Sequence, residues 1–167
     1  MDLLKELRAN YFKLCAYCDA FFKNTQNRHD DEMQCGAGCC SCCILESVTP
    51  LEAWIIRDYL QENEVKANRG NNGRCIFLND CRCGIYEVRP LICRTHGLLL
   101  RSGEDGSVTG TCPLNFRNAE MDEIDKKYVL DIGLITDNLI RLDLAYRKIT
   151  GGEETLPDRI KLSELIS

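Results

Sequence analysis

The stretch Cys35-Gly-Ala-Gly-Cys39-Cys40-Ser-Cys42-Cys43 places five cysteines within nine residues of a chain that has 12 cysteines among 167 residues. Thiols that only fill an apolar core are scattered along a chain at the spacing of a helix or a strand. Here the thiols stand among glycine and serine, which suit a tight loop that brings several sulfurs around one point. The stretch therefore predicts an irregular loop whose conformation depends on what the sulfurs bind.

A second series of cysteines follows further along the chain, and it comprises Cys75, Cys81, Cys83, Cys93 and Cys112. Two such series in one small chain indicate either disulfides or metal. The N-terminus is charged and amphipathic, which is not typical of a secretory signal, and no apolar stretch is long enough to span a bilayer. We therefore expect a cytoplasmic, reduced chain without a membrane partner, in which clustered cysteines bind metal rather than form disulfides.

Composition narrows the classes of function. The net charge is −5 and the calculated pI is about 5.1, which argues against a nucleic-acid partner because binding to phosphates needs a basic surface. Only two histidines occur, His29 and His96, so the metal sites should be almost entirely sulfur. The length predicts a single domain over residues 1–167 that can bury a core without help from metal.

Two long amphipathic stretches flank the cysteine-rich middle. From Asp2 to about Asn24 apolar residues recur every three or four positions, which predicts a helix. Cys15 and Cys18 lie on or beside its apolar stripe, so we interpret them as core thiols rather than a metal-binding pair. A second stripe predicts a long helix from Met121 to about residue 148, which the glycine pair at 151–152 ends.

A shorter helix is predicted directly after the first cysteine loop. Thr49 is a typical N-cap, Pro50 suits the first helical position, and Glu52 stands where it completes a capping box. We expect this helix to run to about Asn63, before the turn-rich residues 68–73.

The remaining segments have weaker signals. Residues 24–34 are polar and predict a loop, and Cys75–Tyr86 predicts short extended pieces and turns. Leu98–Leu100 and Ser107–Thr109 flank a turn at residues 103–106 and predict a hairpin. The tail after Leu156 predicts a short helix.

Together these patterns predict a mainly α fold. Three packed helices form a scaffold, with flanking helices at residues 2–24 and 121–150, because their apolar stripes have no other surface to cover. The scaffold carries an irregular, cysteine-rich metal-binding core at about residues 35–113, with at most a small β-hairpin.

The spacing within the first loop suits metal binding. Two residues between Cys39 and Cys42 let a tight turn direct both sulfurs at one ion, as in zinc ribbons and iron–sulfur loops. Adjacent side chains tend to point apart. Cys42 and Cys43 should therefore serve different metal ions, unless one of them is a bystander.

The first loop and the segments Cys75-Ile-Phe-Leu, Cys83-Gly-Ile-Tyr-Glu-Val-Arg-Pro90 and Cys93-Arg94 resemble the CxxCxxCC, or YkgJ-type, cysteine-cluster family. Its members are described as zinc- or iron-chelating domains or as iron–sulfur-cluster-containing proteins. The resemblance extends from about Cys35 to Cys112, which is roughly half of the chain.

The resemblance implies a set of metal ligands, with Cys112 matching a later and looser Cys-Pro: Cys35, Cys39, Cys42, Cys43, Cys75, Cys83, Cys93 and Cys112. Cys35 stands one residue further from Cys39 than the family name implies. Four further cysteines are extras, namely Cys15, Cys18, Cys40 and Cys81. Cys81 competes with Cys83 for one metal-ligand position of the family, and Cys40 competes with Cys39 for another.

Charged residues near Cys93 suggest how a site is neutralised. Four thiolates around a dication leave a net charge of −2, which must be offset where the site is partly buried. Arg89 and Arg94 can donate charge-assisted hydrogen bonds to the sulfurs. In the alternative interpretation, Arg89 pairs with Glu87 or Glu52 and only holds the fold.

His96, His29 and Tyr86 are expected to have structural roles rather than to bind metal or take part in chemistry. His96 stands three residues after Cys93, so it can be a ligand, but we favour a capping or supporting role. His29 lies in a polar stretch and is expected to be solvated. Tyr86 is expected in the core.

Three functions compete at this point. The first is a binding module with closed zinc sites of four cysteines each, in a structural or metal-handling role. The second is an iron–sulfur protein, for example with a [4Fe-4S] cluster, in electron transfer or as accessory to a partner enzyme. The third is an enzyme. The first loop has the spacing of the radical S-adenosylmethionine cluster loop, but that class uses a larger barrel whose strand–helix alternation this chain lacks.

Some relatives of the family are called flagellin lysine methylases. The chain has no glycine-rich cofactor loop after a predicted strand, so the resemblance implies at most an accessory role in protein lysine methylation. No pair of nucleophile and base stands out either, so we favour binding over turnover, with a metal ion and possible protein partners. Cysteine-only ligation is compatible with zinc and with iron–sulfur. We favour zinc because closed all-cysteine tetrahedral sites are the commoner structural solution.

Overall fold

A computed structural model describes residues 2–70, 73–103 and 107–166. Its α-helices, in chain order, are α1 (Leu3–Arg28), α2 (Pro50–Glu62), α3 (Leu91–Thr95) and α4 (Ile132–Thr150). Its strands are β1 (Ser47–Val48), β2 (Leu78–Asn79), β3 (Arg82–Cys83), β4 (Leu99–Arg101), β5 (Val108–Gly110), β6 (Val129–Asp131) and β7 (Ile160–Lys161). Single 3-10 turns lie at Tyr86–Val88, Met121–Glu123, Lys126–Tyr128 and Leu162–Leu165.

The first helix is longer than the sequence predicts. Asp2 caps α1 by accepting a hydrogen bond from the Lys5 backbone N–H at 3.4 Å. The helix continues past the predicted end at Asn24 to Arg28, and the fully buried Thr25 lies in this extension. Packing of Thr25 against the core overrides the polar composition that indicated a loop.

Cys15 and Cys18 lie on the buried face of α1, with exposed fractions of 2% and 0%. Their interpretation as core thiols is therefore confirmed. They pack with Leu7 and Tyr11 of the same helix inside the hydrophobic core.

The buried thiol of Cys18 should make the protein sensitive to alkali. Burial, followed by smaller effects of Cys15 and Asp19, raises the pKa of Cys18 to about 12 from an ordinary value of 9.0. The unfolded chain ionises this thiol first, so its contribution to stability is complete below pH 9 and is lost as the pH rises towards 12. The contribution changes by at most about 1.4 kcal/mol per pH unit.

Urea unfolding between pH 8 and 11, in a phosphine reductant, measures this effect. The Cys18→Ala variant should show a shallower fall in unfolding free energy than the wild type above pH 9. It should cost about 1–2 kcal/mol at neutral pH and leave the metal content unchanged. Parallel pH profiles would contradict the buried-thiol account, and a lost metal ion would show that α1 supplies a ligand.

The capping box of α2 is confirmed. The Thr49 hydroxyl accepts from the Glu52 N–H at 3.3 Å, and the Glu52 carboxylate accepts from the Thr49 N–H at 3.2 Å. Glu52 is only 3% exposed, and it also accepts from the Leu91 N–H at 3.0 Å and the Tyr11 hydroxyl at 3.3 Å. This carboxylate therefore joins the starts of α2 and α3 to α1.

The predicted packing of the three long helices is observed. Helix α4 packs against both α1 and α2, and α3 packs against α1. The buried Asp143 of α4 accepts from the Leu51 N–H of α2 at 2.8 Å and from Arg147 Nε at 2.7 Å. Trp54 of α2 stacks on Tyr146 of α4, with ring centroids 5.6 Å apart.

The long C-terminal helix begins at Ile132, and the predicted start at Met121 is wrong. The intervening residues form two 3-10 turns and β6. Asp131 sets the observed start because its carboxylate accepts from the Leu134 N–H at 3.1 Å. Gly151 ends the helix as predicted, with a left-handed φ of 69°.

The strands are short and form small sheets. The predicted hairpin is confirmed as β4–β5, and β6 adds to β4 in parallel. Strands β2 and β3 pair in antiparallel, as do β1 and β7. The sequence did not predict β6 or the β1–β7 pair, whereas the short helix predicted in the tail is the 3-10 turn after β7. Parts of two predicted turns, residues 71–72 and 104–106, lie outside the described residues.

The mainly α fold class is confirmed, since the strands of the described ranges are only two or three residues long. Within these ranges, no helix combines the length and the apolar character needed to cross a bilayer.

Candidate metal centre

Tight turns hold the first cysteine loop. The Cys39 N–H donates to the carbonyl of Gly36, and the Cys43 N–H donates to the carbonyl of Cys40, both at 3.1 Å. Gly38 adopts a φ of 89°, a conformation that favours glycine. The loop is irregular, as its glycine-rich sequence predicts, and two successive turns shape its backbone.

The β2–β3 hairpin carries two further cysteines beside this loop. The Cys75 N–H donates to the Cys43 carbonyl at 2.9 Å, and Cys83 pairs with Leu78 across the hairpin. The backbone N–H groups of Phe77 and Ile85 donate hydrogen bonds to the sulfurs of Cys75 and Cys83, respectively. These bonds oppose the rise in thiol pKa that burial causes and stabilise the thiolate that binds metal.

The first cysteine group consists of Cys35, Cys39, Cys42 and Cys112. Burial raises the pKa of Cys35, and the thiols that raise it further are Cys112, Cys39 and Cys42. Burial also raises the pKa of Cys42, with further effects of its chain neighbour Cys43 and of Cys39 and Cys112. The loop thus contributes three thiols, and the segment after β5 contributes the fourth.

The second cysteine group consists of Cys43, Cys75, Cys83 and Cys93. Burial raises the pKa of Cys93, and the neighbouring thiols Cys75, Cys83 and Cys43 raise it further. Burial likewise raises the pKa of Cys43, where Cys83 and Cys75 are the next contributors, while a side-chain hydrogen bond with Cys42 of the first group lowers it. The loop, the hairpin and α3 each contribute to this group.

The two groups are neighbourhoods of thiols rather than finished coordination spheres. Among the described residues, no three His, Cys, Asp or Glu side chains converge closely enough to be ready-made ligands of one ion. Binding must therefore draw the sulfurs together, which is typical of metal sites that form as the chain folds. The glycines at 36 and 38 have open space around them, so the first loop has room to adjust.

The middle of the chain is similar to a known protein family. Residues 34–113 match the CxxCxxCC family. The family model is described as a "putative zinc- or iron-chelating domain", and the resemblance seen in the sequence is confirmed over this segment. No curated protein and no solved structure gives a match.

The family motifs have structural counterparts in this CxxCxxCC segment. In Cys-x-Phe-Leu and Cys-x-Ile-Tyr, the residues two after each cysteine are Phe77 and Ile85, which supply the N–H groups to the sulfurs. Their side chains are 1% and 2% exposed. Each motif thus fixes a sulfur by coupling its hydrogen-bond donor to the core.

Two residues near the first cysteine group were not predicted from the sequence. Gly97, with a φ of 97°, lies so close to Cys35 that an added Cβ would stand 2.5 Å from its sulfur. Asn115 is 2% exposed, and its Nδ2 donates to Cys35 Sγ at 3.2 Å and to the Gly97 carbonyl at 2.7 Å. Its Oδ1 accepts from the Gln34 N–H at 2.8 Å. The only signal in the sequence is the position of Asn115 shortly after Cys112-Pro113.

Replacing Asn115 with alanine should weaken the first cysteine group selectively. The change removes a hydrogen bond to sulfur and leaves buried backbone groups without a partner, which should cost about 2–3 kcal/mol of stability. A chelator competition titration should show one metal ion lost more readily and the other unchanged. The exposed Asn118→Ala is the control. Equal weakening of both ions, or of neither, would contradict this role.

The predicted partners of the two arginines are wrong. Arg89 and Arg94 both pair with Asp19 of α1, at 2.6 Å and 2.5 Å, so Arg89 does not pair with the carboxylate of Glu87 or Glu52. Their hydrogen bonds end on oxygens rather than on sulfurs. The positive charge of Arg89 nevertheless lowers the pKa of Cys83 against the larger effect of burial.

A third arginine lies beside the first loop, and no pattern in the sequence indicated it. Arg74 donates to the Cys40 carbonyl at 2.7 Å and to the Ser41 carbonyl at 3.4 Å. Its charge lowers the pKa of Cys43 against the dominant effect of burial. The second cysteine group therefore has two cations, Arg74 and Arg89, that can offset thiolate charge.

The structure confirms the expected position of His96 and contradicts those of His29 and Tyr86. His96 occupies the C-cap of α3, as its capping interpretation predicts, and burial lowers its pKa. The prediction that His29 is solvated is wrong, because its side chain is 15% exposed and its ring contacts Phe116 and Tyr128. Tyr86 is 62% exposed rather than in the core, and the Arg89 guanidinium lies 4.0 Å from its ring centroid.

The two remaining extra cysteines pair with each other. Cys40 and Cys81 form a disulfide with a Cα–Cα distance of 5.2 Å, which lies in the usual range for such bridges. For these two residues the expectation that the clustered cysteines bind metal rather than form disulfides is wrong. The bridge takes both residues out of competition with Cys39 and Cys83, and the eight predicted ligands lie outside it.

Proposed function

We propose that the protein binds two metal ions, each through four cysteine thiolates, and that it acts by binding rather than by turnover. The observation that supports the proposal is the mutual effect of the eight predicted ligands on one another's thiol pKa, most of which falls within two sets of four cysteines. Four is the number of ligands in a closed tetrahedral zinc site. The CxxCxxCC match supports metal chelation independently, without naming one metal.

The chemistry of the donors fits a closed site. Thiolates are soft ligands that suit zinc and iron–sulfur clusters, and four of them leave no open position for a water or a substrate. Their negative charge also makes the bound metal a poor Lewis acid. We therefore infer a structural or metal-handling role, in which the ions tie the first loop to the β2–β3 hairpin, to α3 and to the segment after β5.

Zinc is the metal that we propose. Burial raises the pKa of most of the clustered thiols, so binding must release protons and is favoured where the thiols stay reduced. We place the protein in the cytoplasm, where reduction is maintained. The alternative is an iron–sulfur cluster, supported by the mention of iron in the family description and by the N–H donors to sulfur, which tune such clusters.

Purification without oxygen, followed by elemental analysis and visible absorption, tests the proposal. We expect colourless protein with about two zinc ions per chain. Brown protein that contains iron and acid-labile sulfide, and that bleaches with dithionite, would replace zinc binding by an iron–sulfur function in electron transfer or in support of a partner enzyme. Protein without stoichiometric metal, even after reduction and reconstitution, would overturn metal binding altogether.

A further inference from the structure

The Cys40–Cys81 bridge links the segments that supply the two cysteine groups. Cys40 follows Cys39 of the first loop, and Cys81 stands two residues before Cys83 of the hairpin. The bridge closes a sequence separation of 41 residues. Its Cys81 side is exposed and its Cys40 side is half-buried, so small molecules in solution can reach it.

The backbone at Cys81 is unusual for a cysteine. Asp80 and Cys81 form the two-residue turn between β2 and β3, with φ values of 47° and 56°. A hairpin turn with positive φ at both positions strongly favours glycine at the second one. A cysteine there accepts a less favourable conformation, and this conformation places its sulfur at the tip of the hairpin, against Cys40.

We propose that Cys40 and Cys81 form a reversible thiol–disulfide switch that reacts with small-molecule disulfides and, when oxidised, slows metal release from the second cysteine group. The proposal rests on the function proposed above. In the oxidising direction, the exposed Cys81 thiolate attacks one sulfur of a disulfide such as oxidised glutathione and releases one thiol. The Cys40 thiolate then attacks the Cys81 sulfur and releases the second thiol, so that two electrons and two protons pass to the small molecule.

From the position of the bridge we expect only the second cysteine group to respond. The second group combines Cys43 of the loop with Cys75 and Cys83 of the hairpin, so the bridge crosses between segments that share one metal ion. The three loop thiols of the first group are joined by Cys112, which lies outside the hairpin. Cross-linking the loop to the hairpin therefore restrains ligand separation at the second group and leaves the first group unaffected.

Zinc-loaded protein equilibrated anaerobically in glutathione buffers of increasing oxidation tests the switch. After alkylation, mass spectrometry should show the loss of two hydrogen atoms and a single cross-linked pair of peptides, containing Cys40 and Cys81. Zinc transfer to a chromogenic chelator should then be biphasic. One phase should be several-fold slower in the oxidised protein than in the reduced protein, and the other phase should be unchanged.

The Cys40→Ser/Cys81→Ser variant is the matched control, and it should release both ions at the rates of the reduced wild type whatever the buffer. The comparison of oxidised with reduced wild type stands even if this variant folds poorly. Two zinc ions with no bridge in any buffer, or a bridge that leaves both rates unchanged, would overturn the switch alone. A bridge that forms in protein that binds no zinc even after reduction and reconstitution would refute its control of metal release together with the proposed function.

Discussion

Replacing Cys42 with serine should remove one of the two metal ions and leave the other in place. We assign Cys42 to the first cysteine group because Cys39 and Cys112 act on it, and Cys43 to the second because Cys83 and Cys75 do, although the two adjacent thiols also act on each other. Cys43→Ser should therefore also remove one ion, but the opposite one. Structural zinc binding contributes on the order of 10 kcal/mol to folding at neutral pH, so each variant should also lose several kcal/mol of unfolding free energy.

Double variants separate the two groups more sharply than single ones. Cys42→Ser combined with Cys112→Ser changes two thiols of the same group and should still leave one ion. Cys42→Ser combined with Cys83→Ser changes both groups and should leave none. The metal losses caused by substitutions in two independent sites add, whereas two substitutions in one site remove the same ion. Native mass spectrometry counts the ions, and Cys15→Ala is the control that keeps both.

A different pattern would contradict the division into two groups. If Cys42→Ser alone removed both ions, the eight thiols would form one shared cluster. If the Cys42/Cys112 pair removed both and the Cys42/Cys83 pair only one, the assignment of ligands to groups would be reversed.

Replacing Gly97 with alanine should collapse the first cysteine group without changing a ligand. The new Cβ would lie 2.5 Å from Cys35 Sγ and 3.2 Å from Asn115 Nδ2, so both must move. A left-handed φ costs a residue with a Cβ about 1–2 kcal/mol, and forced overpacking adds about 1–3 kcal/mol. We expect loss of one metal ion and a fall in unfolding free energy of about 3 kcal/mol or more.

Gly151→Ala is the matched control, since Gly151 has a φ of 69° and no atoms near the position of an added Cβ. It should lose only the unfolding free energy that a left-handed φ costs a residue with a Cβ, and it should keep both ions. A Gly97→Ala variant that lost no more stability than Gly151→Ala and retained two ions would show that Cys35 can move away freely. Gly97 would then have no part in shaping the site.

The helices were predictable wherever the signal was local. Thr49, Pro50 and Glu52 lie within four residues of one another, and their capping box determines the start of α2. The start of α4 depended on β6, whose partner β4 lies far away in the sequence. An amphipathic stripe contains no information about that parallel pairing. The stripe therefore predicts a continuous helix across Val129–Asp131, where the structure has β6.

The candidate site was predictable in composition but not in arrangement. Cysteine spacing and the family resemblance predict the eight thiols as ligands, and the alternation of adjacent side chains predicts that Cys42 and Cys43 serve different ions. The division into groups depends on how the hairpin and α3 fold over the first loop, which no local pattern determines. For the same reason the Asp19 pairing, the Gly97 contact and the Cys40–Cys81 bridge, which join residues distant in sequence, were missed.

X-ray absorption at the metal edge of the anaerobically purified protein tests the central claim most directly. Two closed sites of four thiolates predict a single shell of four sulfurs at about 2.3 Å from zinc, with no lighter ligand. They also predict no short metal–metal distance, because we propose that each cysteine group holds its own ion. A nitrogen or oxygen shell near 2.0–2.1 Å, or a second metal within bridging distance, would contradict the account.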